Sequence, residues 1–142
     1  MSNEAEQVAQ RRAKLEALAA MGVAPYPHRF ARTHDVSAIL ASHGETTGAV
    51  LEEIRPMVQV AGRILGMRGF GKANFVELSD GRERLQVYVR QDALSAHDFS
   101  VYQKLDLGDQ IGVHGRLFRT KTNELTIWAD GLEFLAKCLL PL

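Results

Sequence analysis

The stretch KANFVELSDGRERLQVYVR, Lys72 to Arg90, decides how this chain folds. Side-chain direction alternates along a strand. Val76 and Leu78 therefore share one face, with Phe75, Glu77 and Ser79 on the other. Leu85, Val87 and Val89 likewise oppose Gln86, Tyr88 and Arg90, and Asp80-Gly81 supplies a tight turn between the two runs. If the aliphatic sets line a core, Phe75 and Gln86 point to water from neighbouring strands. A phenylalanine beside an amide on a wet face needs a reason.

Upstream, after Pro56, Val58, Val60 and Ile64 alternate with Gln59, Ala61 and Arg63, which predicts a first strand. Downstream, DALSAHDFSVYQKL breaks the alternation and predicts a helix. QIGVHGRLFRT and ELTIWADGLEFLA follow as a fourth and a fifth strand, joined by a turn at KTNE. Three strands, a helix and two strands is the order of an OB-fold, a five-stranded Greek-key barrel that binds single strands on one outer face. Gly62, Gly66 and Gly112 are placed to ease its coiling.

The front third is helical instead. Ser2 to about Met21 predicts a helix, apolar on one side through Val8, Leu15, Leu18 and Met21 and ended by Gly22, Pro25 and Pro27. GVAPYPHRF reads as an extended connector. Asp35 caps a short helix to about Gly44, and Thr46 or Thr47 caps another to Glu53. The chain thus divides into a helical extension with connector, 1–55, and a barrel domain, 56–142.

Composition narrows the function. Lys plus Arg and Asp plus Glu both number 17 in 142 residues, so no overall basic field grips a long duplex and nucleic-acid contact must be local. One cysteine forms no internal disulfide. No signal peptide or membrane span is read, and the expectation is a cytoplasmic protein without membrane association. The five histidines have no ligand spacing with Cys138, so no metal site is expected. RGFGKANF lacks phosphate-loop spacing and precedes a strand. No catalytic residue is assigned.

A site selective for one unpaired nucleotide needs an apolar platform and polar groups at the base edge. Phe75 supplies stacking, Gln86 a donor and an acceptor, Arg68 a fork of donors, and Glu124 an acceptor. Lys72, Arg119 and Lys121 lie in or near the loops flanking that face, where they can contact the RNA backbone. The platform reads as nearly one ring: Tyr88 covers the barrel edge, and Trp128 belongs to the core or packs on the front helix. Arg63 and Glu77 form a cross-strand ion pair. His114 is a partly buried structural residue or reaches the binding face. A general single-strand binder and a protein-interaction module docking through the front helix are the alternatives.

RRAKLEALAAMGVAPYPHRF, VQVAGRILGMRGFGKANFVELSDGRERLQVYVR, LDLGDQIGVHGRLFRTKTNELTI and LEFLAKCLLPL together resemble the N-terminal region of class II lysyl-tRNA synthetases. GKANF, LDLGD and RTKTNELTI are the most specific pieces. The resemblance implies an anticodon-binding OB-fold with a helical leader. It implies that Phe75 stacks on the central uridine of the lysine anticodon, that Gln86 and Arg68 read its edge, and that Glu124 attends to a flanking base. The partner implied is the anticodon loop of lysine tRNA. The match ends at LLPL, where family members continue into a catalytic domain that binds ATP with magnesium, lysine and the acceptor end. The expectation is therefore an excised or truncated piece that does not activate lysine and holds no cofactor. It is expected to be a monomer or weak dimer in isolation, whereas the full-length family is homodimeric.

Overall fold

The structure, a computed structural model, describes residues 3–23 and 33–139. The connector from position 24 to 32, with Pro25, Pro27 and His28, lies outside the described residues, as does the terminal 140–142. Helix α1 spans Glu4–Ala20; Asn3 caps it by accepting from Glu6 N at 2.8 Å, and Glu4 and Glu6 sit favourably at the positive end of its dipole. It buries Leu18 fully, with Leu15 and Met21 packed beside it. Helices α2 (Val36–His43) and α3 (Gly48–Ile54) start at Asp35 and Thr47, so the second of the two candidate threonines is the cap.

Five strands follow: β1 (Met57–Phe70), β2 (Ala73–Ser79), β3 (Arg84–Arg90), then helix α4 (Ala96–Tyr102), β4 (Gln110–Arg119) and β5 (Leu125–Ala136). They close into a barrel in the order β1-β2-β3-β5-β4, with β3 and β5 parallel and every other pair antiparallel. The expected OB-fold order is present. Val58, Val60, Val76, Leu78, Val87, Ile111, Val113, Leu117, Ile127 and Phe134 fill the interior. Leu18, Val36, Ile39 and Leu51 from the helices join the same apolar cluster, so the extension and the barrel share one core.

Strand β1 is long because it serves two partners, β4 over Met57–Arg63 and β2 over Arg63–Phe70. A bulge between Ile64 and Gly66 marks the change. Before it, even-numbered residues face inward; after it Met67 opposes Val76 and packs on the core, while Arg68 opposes Phe75. One extra residue inverts the alternation. A second bulge, at Asp130, takes the inward set of β5 from Ile127 and Ala129 to Leu132 and Phe134. Gly115 faces it, and a Cβ there would lie 2.1 Å from the carbonyl oxygen of Trp128. Gly115, which the sequence reading passed over, is required by this close backbone approach.

The β1 bulge is fixed from below. The Ile64 amide donates to the Asp109 carbonyl at 2.9 Å, and Gly108 N donates to the Ile64 carbonyl at 2.7 Å. Asp109 is fully buried; its carboxylate accepts from Lys137 Nζ at 2.7 Å, Asp106 N at 2.8 Å and Cys138 N at 2.9 Å. Lys137 Nζ, itself buried, also reaches Asp106, whose other oxygen takes Lys14 Nζ of α1 at 2.6 Å. Burial opposes ionisation of Asp106, but hydrogen bonds and charge from Lys137 and Lys14 outweigh it and hold its carboxyl below the usual range. Asp80 in the β2–β3 turn behaves alike. Burial raises it, yet the Ser37 hydroxyl and the amides of Glu83, Arg82 and Ser37 depress it strongly.

Two outcomes follow from this network. Lys137→Ala leaves the buried Asp109 charge without its cation, and urea unfolding is expected to show a loss of about 3–5 kcal/mol; a loss within experimental scatter would mean that Lys137 is not the counter-ion. Both Asp80 and Asp106 have depressed values in the fold, so their stabilisation is complete above the unfolded aspartate value of about 3.9 and fades as pH falls through the lower folded values. Acid titration is expected to show stability falling below about pH 4, with a shallower fall in Asp80→Asn.

Candidate nucleic-acid interface

Because the β1 bulge turns Arg68 outward, five strands contribute to one cross-strand row on the outer face: Arg68, Phe75, Tyr88, Trp128 and Arg116. A second row, Gly66, Glu77, Gln86, Thr126 and Phe118, runs beside it. The rings touch in sequence. Phe75 stacks on Tyr88 with centroids 4.9 Å apart, Tyr88 meets Trp128 edge-on at 5.3 Å, and Trp128 meets Phe118 at 5.2 Å. Arginines close both ends: Arg68 lies 5.4 Å over Phe75 and Arg116 lies 4.9 Å over Trp128.

Gln86 is oriented by its neighbours. Arg68 Nη2 donates to Gln86 Oε1 at 3.0 Å, which leaves the amide nitrogen to donate to Thr126 Oγ1 at 3.2 Å; that hydroxyl donates in turn to the Glu124 carbonyl at 3.0 Å. A guanidinium cannot accept a hydrogen bond, so the amide cannot be reversed without breaking the relay. Arg68, Phe75, Glu77, Arg84, Gln86 and Glu124 line a cleft of about 430 Å³. The fold thus brings together all four residues singled out as base readers.

Charge on this face is nearly cancelled. Glu77 takes Arg84 at 3.1 Å, and Arg116 binds Glu52 of α3 at 2.8 Å, its hydrogen bond lowering the Glu52 carboxyl below its ordinary value despite opposing desolvation. Arg68 donates to a neutral amide and forms no ion pair among the described residues. It is the cation of the cleft that makes no direct ion pair there, Arg84 being taken by Glu77. Lys72 and Lys121 are exposed in the β1–β2 and β4–β5 turns, where a backbone contact was expected.

Several expectations are corrected. Arg119 is a clamp: it donates to the carbonyls of Thr46 at 2.9 Å, Gly44 at 2.7 Å and Asn123 at 3.1 Å, and so ties the α2–α3 loop to the barrel. Trp128 is half-buried on the outer face, packed on Tyr88 and Phe118 and away from the core; the platform is a ladder of four rings. Tyr88 is a middle rung of it. Arg63 faces Ser79, two positions along β2 from Glu77, and Glu77 pairs with Arg84 of β3 instead. Ser79, expected on the wet face, is buried and accepts from Gly81 N. Of the two alternatives for His114 the structure has the first: half-buried, it pairs with Asp130 and lines a separate cavity with Gln59 and Phe134, away from the cleft. Thr126, Phe118 and Arg116 were missed. Leu117 and Ile127 are inward, so alternation alone places Arg116, Phe118, Thr126 and Trp128 outward.

Among the described residues no group of three or more His, Cys, Asp or Glu can hold a metal ion, and no helix is long and apolar enough to cross a membrane. Residues 58–135 match the tRNA anticodon family model, described as an OB-fold nucleic acid binding domain. The chain is also similar to the lysine--tRNA ligases of Bacillus cereus (strain AH187), Bacillus thuringiensis (strain Al Hakam) and Bacillus anthracis. Each is 39% identical over 137 residues, covering 96% of this chain and 28% of the relative. The chain therefore spans under a third of the length of these relatives.

The relay is testable without any ligand. Thr126→Val removes only the hydroxyl; urea unfolding is expected to show a loss of about 0.5–1.5 kcal/mol, and the Gln86 side-chain amide resonances should collapse to those of a solvated glutamine. Unchanged amide shifts would count against Thr126 as the group that orients Gln86.

Proposed function

The chain belongs to the tRNA anticodon family of OB-fold nucleic acid binding domains, and on that premise we propose that it is an anticodon-reading module which takes the unpaired, uridine-rich anticodon loop of lysine tRNA on its outer face. One observation carries this reading: an aromatic ring, Phe75, lies beside an amide held in one orientation by Arg68 and Thr126. A base stacked on Phe75 meets Gln86 and Arg68 at its edge. A pyrimidine with a carbonyl oxygen where cytosine carries an amino group suits the two donors, Arg68 and the Gln86 amide nitrogen.

Glu124, exposed after the β4–β5 turn, is assigned to a flanking base, where a carboxylate selects for an N–H donor. Lys72 and Lys121 are assigned to the RNA backbone. Arg119 is left out of that set by its carbonyl partners. The similarity to lysine--tRNA ligases supports a place within such a ligase, where the module presents the tRNA for ATP-dependent attachment of lysine. We assign the ATP and magnesium of that reaction to parts of the ligase other than this barrel, and no aminoacylation to this chain by itself.

A second reading has one observation in its favour. A ladder of four rings resembles the stacking track of a binder that is indifferent to sequence. Comparing an RNA stem-loop with a UUU anticodon against one whose central uridine is cytidine separates the two. Preference for uridine, lost in Gln86→Ala, supports anticodon reading; equal affinity supports the general binder. In Phe75→Ala the affinity should fall about 5- to 160-fold, from a stacking term of roughly 1–3 kcal/mol. The salt dependence should be shallow. Two lysine–phosphate contacts give a log–log slope of about −1.4, and a slope near −4 would mean a larger basic footprint.

A further inference from the structure

We propose that Tyr88, Trp128 and Arg116 form a second nucleotide site on the same face, one that holds the neighbour of the selected base by stacking and does not read its identity. The proposal rests on the reading that this face binds single-stranded RNA. Its starting point is geometry. Phe75 and Trp128 lie in register on β2 and β5, with β3 between them, so the two platforms stand about 10 Å apart from the ordinary strand spacing. Bases in a stack are about 3.4 Å apart. Two bases occupying these positions are therefore unstacked from each other, as recognition of a splayed single strand requires.

The ring angles point the same way. Phe75 and Tyr88 are close to parallel, at 26°, whereas Tyr88 and Trp128 are nearly perpendicular, at 78°. The ladder turns a corner at Tyr88. A base laid on the Phe75 end and a base laid on the Trp128 end have different planes, and the nucleotide chain must bend between them.

The chemistry at the two ends differs. Beside Phe75, the polar residues Gln86, Arg68 and Glu124 line the cleft. Beside Trp128, the Thr126 hydroxyl is engaged by Gln86 and the Glu124 carbonyl, and the Arg116 guanidinium is held by Glu52. Phe118 is apolar. What remains for a ligand is the flat Arg116 guanidinium lying over the indole, which stacks on any base. Glu52 is a positioning residue: it keeps Arg116 over Trp128 and offsets its charge, so this end adds affinity without adding salt dependence. The helical extension thereby contributes to the RNA face through α3.

Trp128 is the chain's single tryptophan, so its emission reports on this site alone. The experiment titrates the chain with a labelled UUU stem-loop, following RNA anisotropy and tryptophan emission together. It then repeats the titration with an abasic nucleotide 5′ or 3′ of the central uridine. Binding accompanied by quenching is expected, with one of the two abasic loops losing the quench and about 5- to 160-fold in affinity. Replacing that neighbour by A, C or G should change affinity less than about three-fold, since every base has a stacking face. Binding without a change in emission, or a quench that survives both abasic loops, overturns the second site and leaves the Phe75 reading intact. Absence of RNA binding by anisotropy overturns both. Glu52→Gln gives an independent readout: uncovering the Arg116 charge should steepen the log–log salt slope by about 0.7, and an unchanged slope would refute the charge-offsetting role of Glu52.

Discussion

Asp109 is a carboxylate with no access to water, and the arrangement of the binding face depends on its being satisfied. Lys137 Nζ and the amides of Asp106 and Cys138 converge on it. An ionised group buried in this way is tolerated only when paired and hydrogen-bonded. The result is a rigid loop from Asp106 to Asp109 whose backbone clasps both polar groups of Ile64. Ile64 is the last residue of β1 before the bulge. By holding it, the loop fixes where the alternation of β1 inverts, and therefore that Arg68 faces out beside Phe75 instead of into the barrel. Lys14 extends the same network to α1 through Asp106. A charge cluster at the base of the fold thus sets the geometry of a face to which it contributes no side chain.

The helices earlier in the chain take part in that face by a different route. Arg119 and Arg116 both leave β4 towards the extension, but a guanidinium can act as a clamp or as a surface. Arg119 donates to carbonyls of the α2–α3 loop, which positions α3. Once α3 is placed, Glu52 meets Arg116 and holds it over Trp128. The order of causation runs from a structural arginine to a ligand-facing one three residues earlier. It also explains why the extension shares the barrel core: a loosely tethered helix could not hold Glu52 in register with β4.

Alternation in KANFVELSDGRERLQVYVR was enough to place Phe75 and Gln86 on one wet face, because β2 and β3 contain no bulge. The strand order was equally legible from the change of hydrophobic period. Arg68 was harder. Counted by twos from Val58, Val60 and Ile64, it falls on the inward set, and only the extra residue at Leu65 brings it out. The misassigned Arg63–Glu77 pair has another cause: alternation gives the face of a residue but not its cross-strand register, which sets Arg63 opposite Ser79. Trp128 reads as core or as packing on the front helix, although Ile127 beside it is the better inward candidate and alternation then directs Trp128 outward. Arg119 looked like a free cation because its partners are backbone carbonyls of residues more than seventy positions away, which leave no trace in side-chain spacing.

The balanced charge of the chain bears on how such a face can work. Where phosphate contacts dominate, affinity is large, tolerant of sequence and easily screened by salt. Here Arg84 and Arg116 are matched by Glu77 and Glu52, and the cleft cation without an ion pair among the described residues, Arg68, is directed by Gln86 towards the base edge. Attraction has been reduced at the very residues that surround the rings. Little non-specific affinity then masks the difference between a base that satisfies Gln86 and Arg68 and one that leaves them unpaired, a difference that a half-buried, oriented amide enlarges. On the proposed reading, the low charge of the face is part of how it would discriminate: stacking would supply the affinity, and the fixed amide would decide which base is held.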